Sequence, residues 1–263
     1  MTAVTPKGQG VAGLLKFAVV VFPLCAAIGT SSEAAAFDWS PGGSKSVSGS
    51  GNVKTETRNV SGYTGIALSL SASVEIRQGG SEGVTIETDD NILPLIETVV
   101  ENATLKIRPA TRNTSFSSKN MKIVVSARNL DRIDIAGKGD IHSDALKVAD
   151  LKAGISGAGD LRIKSLEADA LSVSIAGSGD FEAGGQAASM RANIAGSGDI
   201  KAAKLDAKTV EINIAGSGDA TVWARNTLKV SIAGSGDVQY YGDAQLQNSI
   251  WGSGSVKRLG AAP

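Results

Sequence analysis

The sequence predicts an all-β protein, a single-stranded parallel β-helix (a solenoid) of about 19 residues per coil, and three observations predict it. The phrase Ile-Ala-Gly-Ser-Gly-Asp stands intact at Ile175 to Asp180, Ile194 to Asp199, Ile214 to Asp219 and Ile232 to Asp237, with looser copies at Ile135 to Asp140, Ile155 to Asp160 and Ile250 to Ser255. Their starts fall 20, 20, 19, 20, 18 and 18 residues apart, so each unit buries its apolar face only against its neighbours. Around each phrase apolar residues recur at every second position, the period of a strand.

The chain opens with Lys7 and Lys16, an apolar run from Phe17 to Ile28 and the ending Ala34-x-Ala36, the pattern of a cleavable export signal over residues 1–36. An uncleaved membrane anchor is the alternative, since the run approaches a spanning length. Leu24 before Cys25 is too large for a lipoprotein cleavage site. Cleavage after Ala36 leaves 227 of the 263 residues, with no cysteine, so stability rests on the stacked core rather than on disulfides. The mature chain then carries 24 basic and 25 acidic side chains, a balance that offers nothing to nucleic acid. It is also too small to include an outer-membrane translocation barrel, and the ending Gly-Ala-Ala-Pro lacks strand alternation.

Residues 37–52 are a Ser- and Gly-rich lead-in in which Val47 to Asn52 already echoes the phrase. The N-terminal β region, residues 53–129, holds short alternating runs at Gly65 to Leu70, Val74 to Arg77, Val84 to Thr88, Leu95 to Val100, Thr104 to Arg108 and Met121 to Ser126, with Glu101-Asn102-Ala103 as a hairpin turn. Leu68 to Ser73 is a degenerate phrase, with Leu70, Ala72 and Ser73 in place of Gly, Gly and Asp. Asp89, Asp90 and Asn91 read as a turn or helix cap, with a cation site as the alternative.

Residues 130–263 form the regular solenoid with its C-terminal cap, and its coils align by column. Leu151, Leu171, Met190, Val210, Leu228 and Leu246 stand four residues before the phrase's isoleucine. Ile133, Ala153, Val173, Ala192, Ile212 and Val230 stand two before it. After the turn a second strand starts at Ile141, Leu161, Phe181, Ile200, Ala220, Val238 and Val256. Each coil is thus strand, glycine turn, strand and polar connection, and parallel crossovers predict a right-handed path. The turn glycines are conformational; without a following helix, Gly-x-Gly is no nucleotide cradle.

Asp140, Asp160, Asp180, Asp199, Asp219 and Asp237 share one column, which stacking sets ~4.8 Å apart. At that distance like charges repel by roughly 1 kcal/mol in water, so something must offset them. Each carboxylate accepts N–H bonds from its own turn, or the row binds calcium between coils; the Gly-Gly-x-Gly-x-Asp spacing of calcium-binding repeats is not met. His142 is the only histidine, which excludes His-based triads and His-rich metal centres, and no catalytic, cofactor-binding or metal-ligating residue is assigned. Trp223, Tyr240, Tyr241 and Trp251 gather near the C-terminal end, as a cover for the last coils or as a binding patch.

The stretches Ser48 to Asn52, Tyr63 to Ile66, Val74 to Ile76 and Asp89 to Leu93, with the repeated Gly-Ser-Gly-Asp, resemble the bacterial head GIN domain family of auto-transporter adhesins over about residues 47 to 256. The resemblance implies an exported, non-enzymatic β-solenoid at the periplasm or cell surface, acting as an adhesive or structural module without cofactors. An envelope glycan or surface protein is its expected partner class. A carbohydrate-active β-helix enzyme, which needs carboxylates and cations clustered on one face, and a calcium-stabilised scaffold are the competing readings.

Overall fold

The computed structural model describes residues 45–111 and 114–263; the export signal expected over residues 1–36 and the first part of the lead-in lie outside them. Within them the chain is nearly all β, a solenoid of about six turns of stacked parallel coils, with one short 3-10 turn at Leu93–Leu95.

In chain order the strands are β1 (Lys45–Ser48), β2 (Val53–Arg58), β3 (Gly65–Leu68), β4 (Ser73–Gln78), β5 (Gly83–Asp89), β6 (Ile96–Glu101), β7 (Thr104–Pro109), β8 (Thr114–Ser117) and β9 (Lys122–Ala127). The regular coils follow as β10 (Arg132–Gly137), β11 (Asp140–Gly157), β12 (Leu161–Gly177), β13 (Phe181–Gly196), β14 (Ile200–Gly216) and β15 (Ala220–Gly234). The last coil is built from β16 (Val238–Tyr241), β17 (Gln245–Gly252) and β18 (Val256–Gly260).

Strands β10 to β15 and β17 stack in parallel with the phrase's isoleucines in one register, Ile135 on Ile155 and so on to Ile232 on Ile250. The inward columns predicted from the sequence are buried in every coil below the last: Ile194 and Ile214 are each 2% exposed. The polar connection between coils is corrected. It is a third strand segment continuous with the others, because Leu146, Leu166 and Leu205 point into the core between outward Lys147, Glu167 and Asp206. Bulges between Ile163 and Leu166, Glu182 and Gly184, and Ala202 and Asp206 mark where the chain turns that corner.

Only the glycine turn interrupts each long strand. At Gly216 the backbone sits at φ +140°, a conformation that disfavours a side chain. Gly218 has a different reason: a Cβ there would run into the Gly198 carbonyl and the Ile194 side chain of the coil beneath. The degenerate copy lies under the first of the looser copies, Leu68 pairing Ile135 and Ser73 pairing Asp140. Beneath it lies β7 rather than another glycine turn, and Leu70 and Ala72 are accommodated as buried side chains.

The N-terminal end departs from purely parallel stacking. β6 and β7 form the predicted hairpin, with Asn102 and Ala103 at φ 51° and 57°, and β5 runs antiparallel to β2 and β9. Ile92 and Leu93 are buried under this end. The Arg58 guanidinium reaches across it, donating to the carbonyls of Ile96 (2.6 Å) and Leu93 (3.0 Å). The Asp89 to Asn91 turn clamps the lead-in: Asp89 Oδ1 accepts from the Gly51 amide (2.8 Å), Asp90 Oδ1 from the Ser50 hydroxyl (2.6 Å), and Asn91 Oδ1 from the Ser50 amide (2.9 Å).

The C-terminal end is different. Tyr240 completes the inward column and is buried, but Trp251 stacks on the outward Ala233 and is 79% exposed. Trp251 therefore does not cover the last coil as the sequence suggested. Inward Leu246 and Ile250 remain 36% and 37% exposed there.

Candidate functional site

The coil geometry produces a ridge of turns and three outward walls. Along the ridge, the aspartate column is a chain of hydrogen bonds. Oδ1 of Asp140, Asp160, Asp180, Asp199 and Asp219 accepts the backbone N–H of the next aspartate at 2.7 to 3.2 Å, and Asp237 accepts from both the amide and hydroxyl of Ser255 at 2.8 Å. The donor lies in the following coil, not in the aspartate's own turn as the sequence suggested, because parallel stacking aims each amide back along the axis. Two second oxygens meet cations: Asp160 Oδ2 takes Arg162 (2.7 Å) and Asp180 Oδ2 takes Lys201 (2.5 Å). Asp180 in turn holds the Lys201 ammonium above its ordinary pKa, chiefly through that hydrogen bond. Charge-assisted bonds and cations together offset the repulsion within the column. Among the described residues no group of three or more His, Cys, Asp or Glu could hold a metal ion.

Two of the walls are charged, and their charges are braced across coils. On the wall after the turn, around His142, Lys164 meets Asp144 (2.6 Å) and Arg162 approaches Glu182 (3.6 Å). On the connection wall Lys147 meets Glu167 (2.7 Å), and Arg225 pairs with Asp206 while its guanidinium lies 5.9 Å from the Trp223 ring centre. Carboxylates and cations thus share these walls, as an enzyme reading would need, yet they are strung along them as exposed ion pairs, the arrangement of struts rather than of a general acid and base.

The wall before the turn carries an uncharged stripe. Ala176, Ala195, Ala215 and Ala233 form an exposed floor; Ser174, Asn193, Asn213, Ser231 and Ser249 run beside it. Asn213 Nδ2 donates to Asn193 Oδ1 (3.0 Å), and Trp251 rises at the C-terminal end of the floor. Of this shelf the sequence reading singled out only Trp251. The rest was available as the outward alternates of the buried isoleucines. A column of charges borders it, where Arg191 meets Glu211 (2.8 Å) and holds that carboxyl below the usual carboxylate range.

The fold that carries these walls and turns is shared with proteins of known structure. The model of the head GIN domain family, described as a putative auto-transporter adhesin, matches residues 62–244. The chain belongs to this family. A putative adhesin from Bacteroides fragilis is 28% identical with a TM-score of 0.78, covering 81% of this chain and all of its own. A putative lipid binding protein from Parabacteroides distasonis is 30% identical with a TM-score of 0.70, covering 82% of this chain and all of its own. A putative adhesin from Parabacteroides merdae, at 19% identity and a TM-score of 0.65, shares the fold. No curated protein sequence matches the chain. None of the helices among the described residues is long and apolar enough to cross a membrane.

Proposed function

We propose that this head GIN domain protein is an exported, non-enzymatic binding module of the cell envelope, at the periplasm or cell surface. Its contact surface is the uncharged shelf, and its ligand is a neutral envelope glycan. The observation that carries this reading is a contrast between surfaces: two walls are braced by ion pairs, whereas the wall before the turn, beside its one column of charges, carries an uncharged stripe of amides, hydroxyls and a flat floor ending in an indole that is 79% exposed. Amide and hydroxyl partners with an aromatic platform suit a sugar, whose hydroxyls need directional partners and whose C–H faces stack on indole. The family description and the exported character read from residues 1–36 support the compartment.

Co-sedimentation of the purified chain with envelope polysaccharide tests it. Retention of wild type, a loss of about ten-fold or more for Trp251→Ala, and no release of reducing ends support the reading. Glycan cleavage, or retention that Trp251→Ala and Asn193→Ala both leave unchanged, overturns it. Retention on phospholipid vesicles instead of glycan would favour a lipid ligand, which the name of the Parabacteroides distasonis protein attaches to that protein.

A further inference from the structure

We infer that the open C-terminal end of the solenoid is an interface for a second copy of this chain, the two β17 strands pairing antiparallel across a two-fold axis through Asn248. Four of the five exposed large apolar side chains among the described residues lie here: Leu246, Ile250, Trp251 and Leu259. β17 pairs β15 on one edge and β18 pairs β16, and neither strand has a partner beyond among the described residues. An uncovered edge strand usually carries a charge or proline to prevent pairing. The eight residues of β17, Gln-Leu-Gln-Asn-Ser-Ile-Trp-Gly, carry neither.

The occupant is fixed by three features. First, the inward pattern of β17 reads the same in both directions. Leu246 and Ile250 flank Asn248, which replaces the Val230 of the coil below, so antiparallel pairing sets Leu246 against the second copy's Ile250 and the two Asn248 amides against each other. Second, the two charged columns that flank β17 are neutral at this coil, the charges of the last coil's outer strands, Lys257 and Arg258, lying on β18. The Asp column ends in Ser255, and the Arg191, Glu211 and Lys229 column ends in Gln247, so no like charges are opposed along the paired β17 strands. Third, a coil of about 20 residues matches the low end of what one side of a stable protein interface uses.

Head-to-tail stacking fits less well. Ser255 lacks the carboxylate that would receive a next coil's amide, and the N-terminal end presents charged β2 (Lys54, Glu56, Arg58) and the Arg58 latch. A two-fold contact closes on itself, and its rotation keeps inward residues inward, joining the two cores. Self-association here needs no glycan. It places both shelves in line, with the two Trp251 side chains near the middle of a doubled floor.

Sedimentation velocity of the purified chain over a concentration series tests the interface. A monomer–dimer equilibrium is expected, with Leu246→Glu and Ile250→Lys each weakening it by about ten-fold or more through a buried unpaired charge. Mixing the two variants is expected to restore a dimer, because the new carboxylate and ammonium face each other while the other pair keeps Leu246 opposite Ile250. That rescue separates a pairing fault from fraying of the terminal coil. A chain monomeric at every concentration, species growing beyond dimer, a dimer that neither variant weakens, absence of rescue, or an end that associates only with phosphatidylglycerol vesicles would each overturn the inference.

Discussion

The two ends of the solenoid solve the same problem in opposite ways. A stack of coils buries each layer with the next, so the first and last layers face water unless something covers them. At the N-terminal end the cover is built in: antiparallel strands close the sheet, Ile92 is fully buried, and Arg58 ties β2 to the carbonyls of Leu93 and Ile96. Its outer strands are charged, with Lys54, Glu56 and Arg58 on β2 and Glu97 and Glu101 on β6. At the C-terminal end the last coil keeps the repeat but has no layer above it among the described residues, and its β17 edge is uncharged, the only charges on its outer strands being Lys257 and Arg258 on β18. Capping is thus a property of particular residues added to the repeat, not of the repeat itself.

The largest effect is expected between the ends, where every layer is covered on both sides. Ile214→Asp places a carboxylate in the stack with no partner, a cost of several kcal/mol, whereas Ser217→Asp in the exposed turn should change stability by less than about 0.5 kcal/mol. Thermal unfolding that shifts equally for both would remove the inward assignment on which the comparison rests. Next comes a direct contrast of the ends. Ile92→Ala removes a fully buried cap residue and should cost about 2–5 kcal/mol. In the monomer, Leu246→Ala at the open end should cost less than about 1 kcal/mol, since much of that side chain already meets water. Equal losses in denaturant unfolding would show that the C-terminal end is covered after all.

These differences explain what the sequence could and could not disclose. The coil period, the inward isoleucines and the turn glycines are local, repeated and tied to strand alternation, so they are legible in one chain. The connection wall was missed because bulges shift its register and Gly185 interrupts the column between Leu166 and Leu205, so interleaved Lys147, Glu167 and Asp206 read as a polar connection. The aspartate column was visible, but whether a carboxylate serves its own turn or the next depends on which way the amides point, a fact of stacking. Of the candidate shelf, Trp251 stood out by type; its alanine and asparagine floor is unremarkable in composition and becomes a surface only when coils align it. The open end was least legible, since β17 repeats the columns of its predecessors and its exposure comes from the layer that is missing.

The aspartate ladder provides a smaller test with the same logic. Asp199→Asn keeps an oxygen for the Asp219 amide while removing one negative charge, so stability should change by less than about 1 kcal/mol. Asp199→Ala leaves that amide unpaired at the turn and should cost about 1–2 kcal/mol. In the monomer, Ser255→Asp at the open end has no next amide to receive and should not stabilise the chain. A gain from it, measured by thermal unfolding at low protein concentration, would mean that the end receives a further coil in register.

The smallest effect distinguishes the ends by acid. Lys106 and then Arg108 hold the Glu101 carboxyl at the rim of the N-terminal hairpin below its ordinary pKa. A group depressed in the folded state contributes its stabilisation above its unfolded pKa and loses it as pH falls through the folded one. Lowering the pH below the ordinary carboxylate range should therefore loosen β6 against β7. β17 has no charged side chain to titrate, so its backbone protection should be unchanged over the same range once the intrinsic exchange rate is divided out. Hydrogen exchange at Val99 and Val100 beside Gln247 and Ser249 reads both strands at once. Acid that frees β17 first would mean that the C-terminal edge, and not the braced N-terminal one, depends on ionised groups.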